Sequence, residues 1–516
     1  MTLLKTLFNL LSLALVFLVS ILHAQPAIEW QRCFGGTDED YARTIVQTND
    51  GGYIFAGSTG SFNGDVWLVK LNGLGVLQWQ KCFGGSLRES SNFTHSVLQT
   101  SDDGFIFTGI TNSNDGNVNG NHGGIDVWVV KLSSAGDIQW KRCLGGTGDD
   151  YSSSIIQTND GGFIITADTY SNDGDVVGKH GLETNSDLWV VKMNQTGDIQ
   201  WTRCLGGSGS EGIASIQQNS DGGYFLAGFT NSNDGDVSGF HGLADVWVVK
   251  INSTGDIQWQ KCLGGTEADY GYSGKQTSDG GYIVAGETGS VDGDVAGNHG
   301  GIDVWVVKLN SAGGLQWQRC YGGGSSEIPS SIQISSDEGF IFSGATLSND
   351  CDVSGHHGSM DFWVVKLNST GTIQWQKCLG GSDYDRCYSV HQTKDGGYAI
   401  AGETRSNDGD VSGFHGINSN LNDAWVVKLG SVITDPDPFQ TIPTCFQVMP
   451  NPASCVVQLK AAAAFVGMAY QIFNAQGKAV MIGQISAEEM PLSTEGLPAG
   501  IYTILAAGRA ARLVKE

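Results

Sequence analysis

The sequence predicts an all-β chain: seven four-stranded units closed into a ring, followed by a small antiparallel β-sandwich. Three observations predict it. Glycine is abundant, 75 of 516 residues, while proline is scarce at 9, a composition of short strands joined by tight turns. A Trp-x-x-Cys-x-Gly-Gly element recurs at Trp30, Trp79, Trp140, Trp201, Trp259, Trp317 and Trp375. An Asp-x-Trp-x-Val-Lys element recurs at Trp67, Trp128, Trp189, Trp247, Trp305, Trp363 and Trp425, and the two sets use all 14 tryptophans.

The chain opens on Lys5, an apolar run from Thr6 to Leu22 broken by Asn9, and the small residue Ala24. Residues 1–24 therefore read as a signal peptide. No second apolar run of membrane-spanning length follows, so no transmembrane segment is expected in the mature chain. With 28 basic against 53 acidic residues and a net charge of −25, nucleic acid is excluded as a partner, because phosphates need Lys and Arg.

Each repeat holds four strand-like runs. In the third these are SSSIIQT, GGFIITA, DLWVVKM and IQWTRCLGG. Asn159-Asp160-Gly161-Gly162 supplies the positive-φ positions of the first hairpin. The DVWVVK runs are apolar on nearly every residue, as in strands covered on both faces. Four-strand units of even period point to a β-propeller over residues 25–430. IEWQRCFGG at the start is a fourth strand without its first three, and DAWVVKL at the end is a third strand without a fourth. The N-terminal strand thus completes the seventh blade and removes an exposed sheet edge. These units resemble the seven-bladed propeller repeats of secreted bacterial proteins, through Gly-Gly-Thr/Ser followed by an acid, Asp-Gly-Gly-Tyr/Phe and Asp-x-Trp-x-Val-Lys.

Residues 431–444 hold three prolines and no repeat element and read as a linker. Residues 445–516 carry no Trp and show short β-like runs at FQVM, CVVQL, AYQIFN, AVMIGQI and GIYTILAA, a small antiparallel sandwich. The segment resembles the type A C-terminal sorting domain of the type IX secretion system of Bacteroidetes. The residues that carry the likeness are Met449-Pro450-Asn451-Pro452-Ala453, the turn ending Gly477-Lys478, Leu497-Pro498-Ala499-Gly500-Ile501-Tyr502 and the terminal Arg512-Leu513-Val514-Lys515. The resemblance implies that Pro450, Asn451, Pro452, Gly477, Gly500, Tyr502 and Lys515 belong to the sorting signal. It also implies that residues 445–516 meet the type IX machinery and that the protein is secreted or held at the outer cell surface.

Seven of the 11 cysteines occupy one equivalent position per blade, which reads as a repeated small hydrophobe. Cys445 and Cys455 are placed to pair across the first turn of the C-terminal segment, while Cys351 and Cys387 fall outside the pattern. No GxSxG, HExxH or P-loop appears, so no catalytic residue is assigned and a non-enzymatic role is expected.

Two acidic patterns are candidate sites. A D-x-[D/N] start with Gly at position six and Asp at position twelve occurs as Asp115, Asn117, Asp126; Asp234, Asp236, Asp245; Asp292, Asp294, Asp303; and Asp350, Asp352, Asp361. That is the spacing of a calcium loop, and calcium is the one cofactor suggested. The alternative is an Asx-type turn. Position five is Ala296 in one copy, insertions displace the last Asp to Asp187 and Asp423 in two further repeats, and the first repeat keeps Asp65 without the loop. The second pattern is an acid four residues after each Gly-Gly: Asp40, Glu89, Asp150, Glu211, Asp269, Glu327 and Asp385. These either ring one mouth of the channel or tie down the turn into the innermost strand. The expected function is a binding or adhesion module for a glycan or surface protein; a self-associating surface component and a polysaccharide-acting enzyme are the alternatives.

Overall fold

The computed structural model describes residues 25–61, 65–87, 89–90, 97–416, 421–431, 446–449, 456–461, 469–474, 478–487, 489–494, 496–506 and 509–515. The N-terminal 24 residues and nearly all of the linker lie outside them. Two compact units, Met1–Ile433 and Thr434–Glu516, divide the chain.

The first unit is a seven-bladed β-propeller. In blade 1 the strands run from axis to rim as Asp40–Gln47, Tyr53–Thr59, Asp65–Leu71 and Leu77–Phe83, all antiparallel. Blades 3 to 6 repeat this order, and in blade 2 the innermost strand comes as two pieces, Glu89–Ser90 and Val97–Gln99. In blade 7, Ile28–Phe34 pairs with Asp423–Leu429, beyond Tyr398–Thr404 and Asp385–Gln392. The last blade is thus completed by the first strand.

Apolar packing lies between blades, which is why the third strands are buried on every face. The seven Trp of the Asp-x-Trp-x-Val-Lys element are 0–1% exposed. One cluster joins Ile54, Ala56 and Leu68 of blade 1 to Phe105, Trp128 and Val130 of blade 2. Another joins Phe55 and Trp67 to Ala399, Ala401 and Val426 of blade 7, across the closure. Glutamines at the ends of innermost strands add polar ties. Gln99 Oε1 accepts the N–H of Asn49, Gln157 that of Ser101, Gln276 that of Ser220, and Gln47 that of Lys394 across the closure.

In six of the seven blades a buried lysine organises the polar groups; in blade 4 Lys250 is partly exposed and pairs with Asp221 through one oxygen. Lys70 is 5% exposed, and its ammonium donates to both oxygens of Asp50 (2.8 and 3.1 Å), to the Leu71 carbonyl (3.1 Å) and to Gln78 (3.0 Å). Gln78 is the extra residue of a bulge that shifts the register between Lys70 and Leu71. The same set recurs at Lys131, Lys192, Lys308 and Lys366. In blade 7 the bulge residue is Glu29, and Lys428 pairs with it and with Asp395. A buried charge is tolerable only with such full pairing.

The indole N–H groups show what happens where the repeat lapses. Trp67, Trp247, Trp305, Trp363 and Trp425 donate Nε1 to Gln80, Gln260, Gln318, Gln376 and Gln31 on the outermost strand. At the equivalent register positions stand Lys141 and Thr202, and Trp128 and Trp189 are left buried with Nε1 unpartnered.

The second unit holds two antiparallel sheets. One orders Phe446–Met449, Val456–Ala461 and Glu489–Ser493; the other orders Ala479–Gln484, Ala469–Phe473, Gly500–Ala506 and Arg509–Lys515. Leu459, Ile472, Met490, Tyr502, Ile504 and Leu513 meet in one core drawn from both sheets.

Two predictions follow from these polar groups. Lys141→Gln and Thr202→Gln each supply an orphaned indole with its acceptor, so each is expected to stabilise the chain by about 1 kcal/mol, read as a higher denaturant midpoint. Burial pushes Asp50 and Asp160 up, but hydrogen bonds from Lys70 and Thr48, and from Thr158 and Lys192, more than offset it and leave both at about 2. Their folded value lies below the ordinary 3.8, so their stabilisation is present above about pH 4 and lost as pH falls through 2. Circular-dichroism melts should show Tm falling between about pH 4 and 2, less steeply in Lys70→Met.

Candidate functional site: the loops and grooves between blades

The Asp-rich loops follow the second strand of a blade and return to the third. Their first Asp is engaged by the neighbouring Gly-Gly turn. Asp115 Oδ1 accepts the N–H of Ser86 (2.7 Å), Asp234 that of Ser208 (2.6 Å), Asp292 that of Thr266 (2.8 Å) and Asp350 that of Gly324 (2.8 Å). Their last Asp is fully buried. Asp126, Asp245, Asp303 and Asp361 each accept from the backbone N–H of a loop histidine and sit 2.7–2.8 Å from its Nδ1: His122, His241, His299 and His357. Asp187 and Asp423 pair with His180 and His415 in the same way despite the insertions. Burial is the largest influence on Asp126, Asp245 and Asp303 and raises all three against the pull of their histidines.

The seven acids after the Gly-Gly turns stand at the start of the innermost strands and are all 0% exposed. Asp150 Oδ2 accepts from the Gly146 N–H (2.9 Å) and the Ser171 hydroxyl (2.8 Å), and Oδ1 accepts from Thr169. Asp40, Asp269 and Asp385 bind their own turns likewise, and Glu89, Glu211 and Glu327 accept the second glycine's N–H at 2.9 Å. Each carboxylate holds a turn through at least one oxygen. Burial pushes Asp385 up to about 6, the bonds from Thr404, Gly381 and Ser406 pulling the other way. The first glycine of each pair is required by this crowding. A Cβ on Gly145 would lie 2.5 Å from Asp150 Oδ2 and 2.8 Å from Asp126 Oδ1.

The loop's third position behaves differently. Asp236, Asp294 and Asp352 line three successive grooves between blades. Each groove takes a histidine and a buried cysteine from one blade and the Asp and an outer-hairpin glycine from the next. Between blades 3 and 4 these are His180, Cys204, Asp236 and Gly255, with Arg203, around about 440 Å³. Between blades 4 and 5 they are His241, Cys262, Asp294 and Gly313, with Lys261, around about 420 Å³. Between blades 5 and 6 they are His299, Cys320, Asp352 and Gly371, with Arg319, around about 540 Å³. With Nδ1 held by the buried Asp, the remaining imidazole nitrogen is free to point outward; His299 Nε2 lies 4.0 Å from Asp352 Oδ2. Asn117, the equivalent in blade 2, meets its Gly-Gly turn at Gly84 as Asp236 and Asp294 meet theirs at Gly206 and Gly264. Sequence reading placed the loops but not the grooves, because each groove joins residues of two repeats.

The groove cysteines are unreactive: burial pushes Cys262 and Cys320 up to about 12. The nine described cysteines are free, and Cys445 and Cys455 lie outside the described residues. Among the described residues no three His, Cys, Asp or Glu side chains are disposed to hold a metal ion. The first loop Asp is held by the neighbouring turn and the last is buried on its histidine, with its Oδ1 left unpartnered in Asp126, Asp245, Asp303 and Asp361. With these oxygens drawn apart, millimolar calcium is expected to leave the Tm where a chelator leaves it; a rise of several degrees would show that the loops rearrange to bind it.

In the C-terminal unit, Gly500 pairs with Lys515 across the last two strands. Tyr502 is buried in the core and its hydroxyl donates to the Pro498 carbonyl at 2.7 Å. Pro450, Asn451, Pro452 and Gly477 lie outside the described residues.

Residues 447–516 match the family described as secretion system C-terminal sorting domain. No curated protein matches the chain in sequence. Among solved structures, a Bacteroides caccae protein of unknown function is 12% identical, covering 66% of this chain and 94% of its own, with a TM-score of 0.37. A Dyadobacter fermentans protein of unknown function is 9% identical, covering 78% and 99%, with a TM-score of 0.42. Likenesses of this degree say nothing of activity. No helix among the described residues is long and apolar enough to cross a membrane. The chain is a seven-bladed β-propeller whose residues 447–516 are a C-terminal sorting domain of the type IX secretion system, which directs it to the cell surface or the medium.

Proposed function

We propose that the propeller is a multivalent binding module delivered by its sorting domain, and that its inter-blade grooves take saccharide units of an extracellular glycan. The observation that carries this reading is the repetition of one lining, with the same polar groups, in three consecutive grooves. Each offers a histidine and an aspartate for hydroxyl groups, a basic side chain and backbone at a glycine. Volumes of about 420–540 Å³ fall within the range of small-ligand sites. Their mixed lining, polar side chains beside apolar surface, suits a saccharide unit, which presents hydroxyl groups alongside C–H faces. Equivalent sites on a rigid ring bind a repeating polymer by avidity, so weak individual sites suffice.

Surface plasmon resonance against immobilised bacterial exopolysaccharide tests the reading. Asp236→Ala, Asp294→Ala and Asp352→Ala should each weaken binding severalfold, and the triple variant by about 100-fold. Undiminished binding by the triple variant contradicts a role for the grooves. Assembly of the chain on itself without glycan points to a surface-layer component, and shortening of the polymer to an enzyme.

A further inference from the structure

Comparing the blades with one another shows where the repeat is relaxed. The third strands are near copies, whereas the partly exposed positions of the innermost strands are not. At the next-to-last position of those strands, blades 1 to 3 carry Val46, Leu98 and Ile156, while blades 5 and 7 carry Lys275 and His391. Basic side chains gather around the axis of a strongly acidic protein: Arg43 from blade 1, Lys275 from blade 5 and Arg386 from blade 7.

These groups reach one another through the channel. The Arg43 guanidinium stands 4.0 Å from the ring centre of Tyr388, and that of Arg386 stands 5.2 Å from it. Arg386 also opposes the burial-driven rise of Glu287, which belongs to blade 5. Lys275 of blade 5 in turn acts, after burial, on His391 of blade 7. Blades 5 and 7 are separated by blade 6, so these interactions cross the axis. Two buried acids stand among these cations: Glu403 accepts from the Tyr388 hydroxyl, and Arg43, Arg386 and Arg405 oppose its burial-driven rise, while Glu287 accepts from Tyr272.

The cations themselves are underused. Among the described residues the side chains of Arg43 and Lys275 make no hydrogen bond and no ion pair, and Arg386, which bonds Tyr384, leaves its buried Nε without a partner. Cations confined beside aromatic rings with free N–H donors form a receptor for oxyanions. Burial alone brings the Lys275 ammonium down to about 8, as expected of a cation whose counter-charge is missing.

We propose that the channel binds a small ligand bearing a carboxylate or sulfate group, held by Arg43 and Arg386 against Tyr388. Lys275 offers a second donor site roughly 10 Å further along the channel, three residues along a strand from the level of Tyr272. The site is distinct from the grooves, so a groove variant keeps it and a channel variant leaves the grooves intact.

Isothermal titration of the chain with glucuronate, inorganic sulfate and glucose, at ionic strength fixed with sodium chloride, tests the proposal. Glucuronate should bind and glucose should not. Arg43→Gln should weaken glucuronate binding by about tenfold or more, and Arg43→Lys by less. Sulfate binding as well as glucuronate identifies the oxyanion alone as the recognised group; glucuronate binding tenfold better identifies a sugar acid. Lys275→Gln removes a partly exposed side chain with no hydrogen bond or ion pair, so it folds even if an arginine variant does not. About 10 Å from the arginine pair, it should weaken binding less than Arg43→Gln does, through the loss of one positive charge from the channel. Absence of binding by both anions, equal binding of glucose, or affinity unchanged in both Arg43→Gln and Lys275→Gln overturns the proposal.

Discussion

The pairing of Ile28–Phe34 with Asp423–Leu429 is the constraint on which the rest of the propeller depends. A blade cannot bury its own faces. Each third strand is covered only because another blade stands on either side, and that holds for all seven only if the ring closes. The outermost strand of blade 7 comes from the far end of the sequence, so closure joins residues almost 400 positions apart. The ladder there follows the register of every other blade, with Cys33 opposite Trp425 as Cys204 is opposite Trp189. The indole of Trp425 even finds its glutamine, Gln31, across the seam.

Within this ring the repeat divides labour between structure and recognition. Residues present in nearly every copy serve the frame: the lysine that gathers an Asp, a carbonyl and a bulge Gln, the buried acid that holds the Gly-Gly turn, and the Asp that fixes a loop histidine. Their chemistry is conspicuous, but most of their polar atoms are engaged within the frame; exceptions include the second oxygens of the loop Asp, such as Asp126 and Asp245 Oδ1, which are buried without a partner. What remains available lies at two kinds of place. The grooves repeat because they form where one frame meets the next, and the third loop residue lines them, partly exposed. The channel varies because its side chains need only avoid one another, and the free cations collect there.

The fold was legible because duplication writes the same unit repeatedly, and the orphan strands at the two ends state how the ring closes. The buried third strands were legible from their unbroken apolar character. The candidate sites were read less well. Asp234 and Asp245 sit at calcium-loop spacing, yet that spacing also places one oxygen on the Ser208 N–H and another on His241. The acids from Asp40 to Asp385 start the innermost strands as expected, but a residue at a channel-side strand end can still turn its carboxylate into the blade. The Lys70–Asp50 node joins two motifs that were each recognised; only their constant co-occurrence hinted that they touch. The grooves and the Arg43–Tyr388 contact link different repeats and leave no local signal.

Native-state hydrogen exchange, resolved by residue, tests the closure most directly. Amides of 28–34 and 423–429 should exchange in the slowest class, together with the central strands of blade 4, because the seam is as strong as any other blade and opens only on global unfolding. Early exchange of residues 28–34, with blade 4 still protected, would show that the N-terminal strand is an attachment to a frame that stands without it.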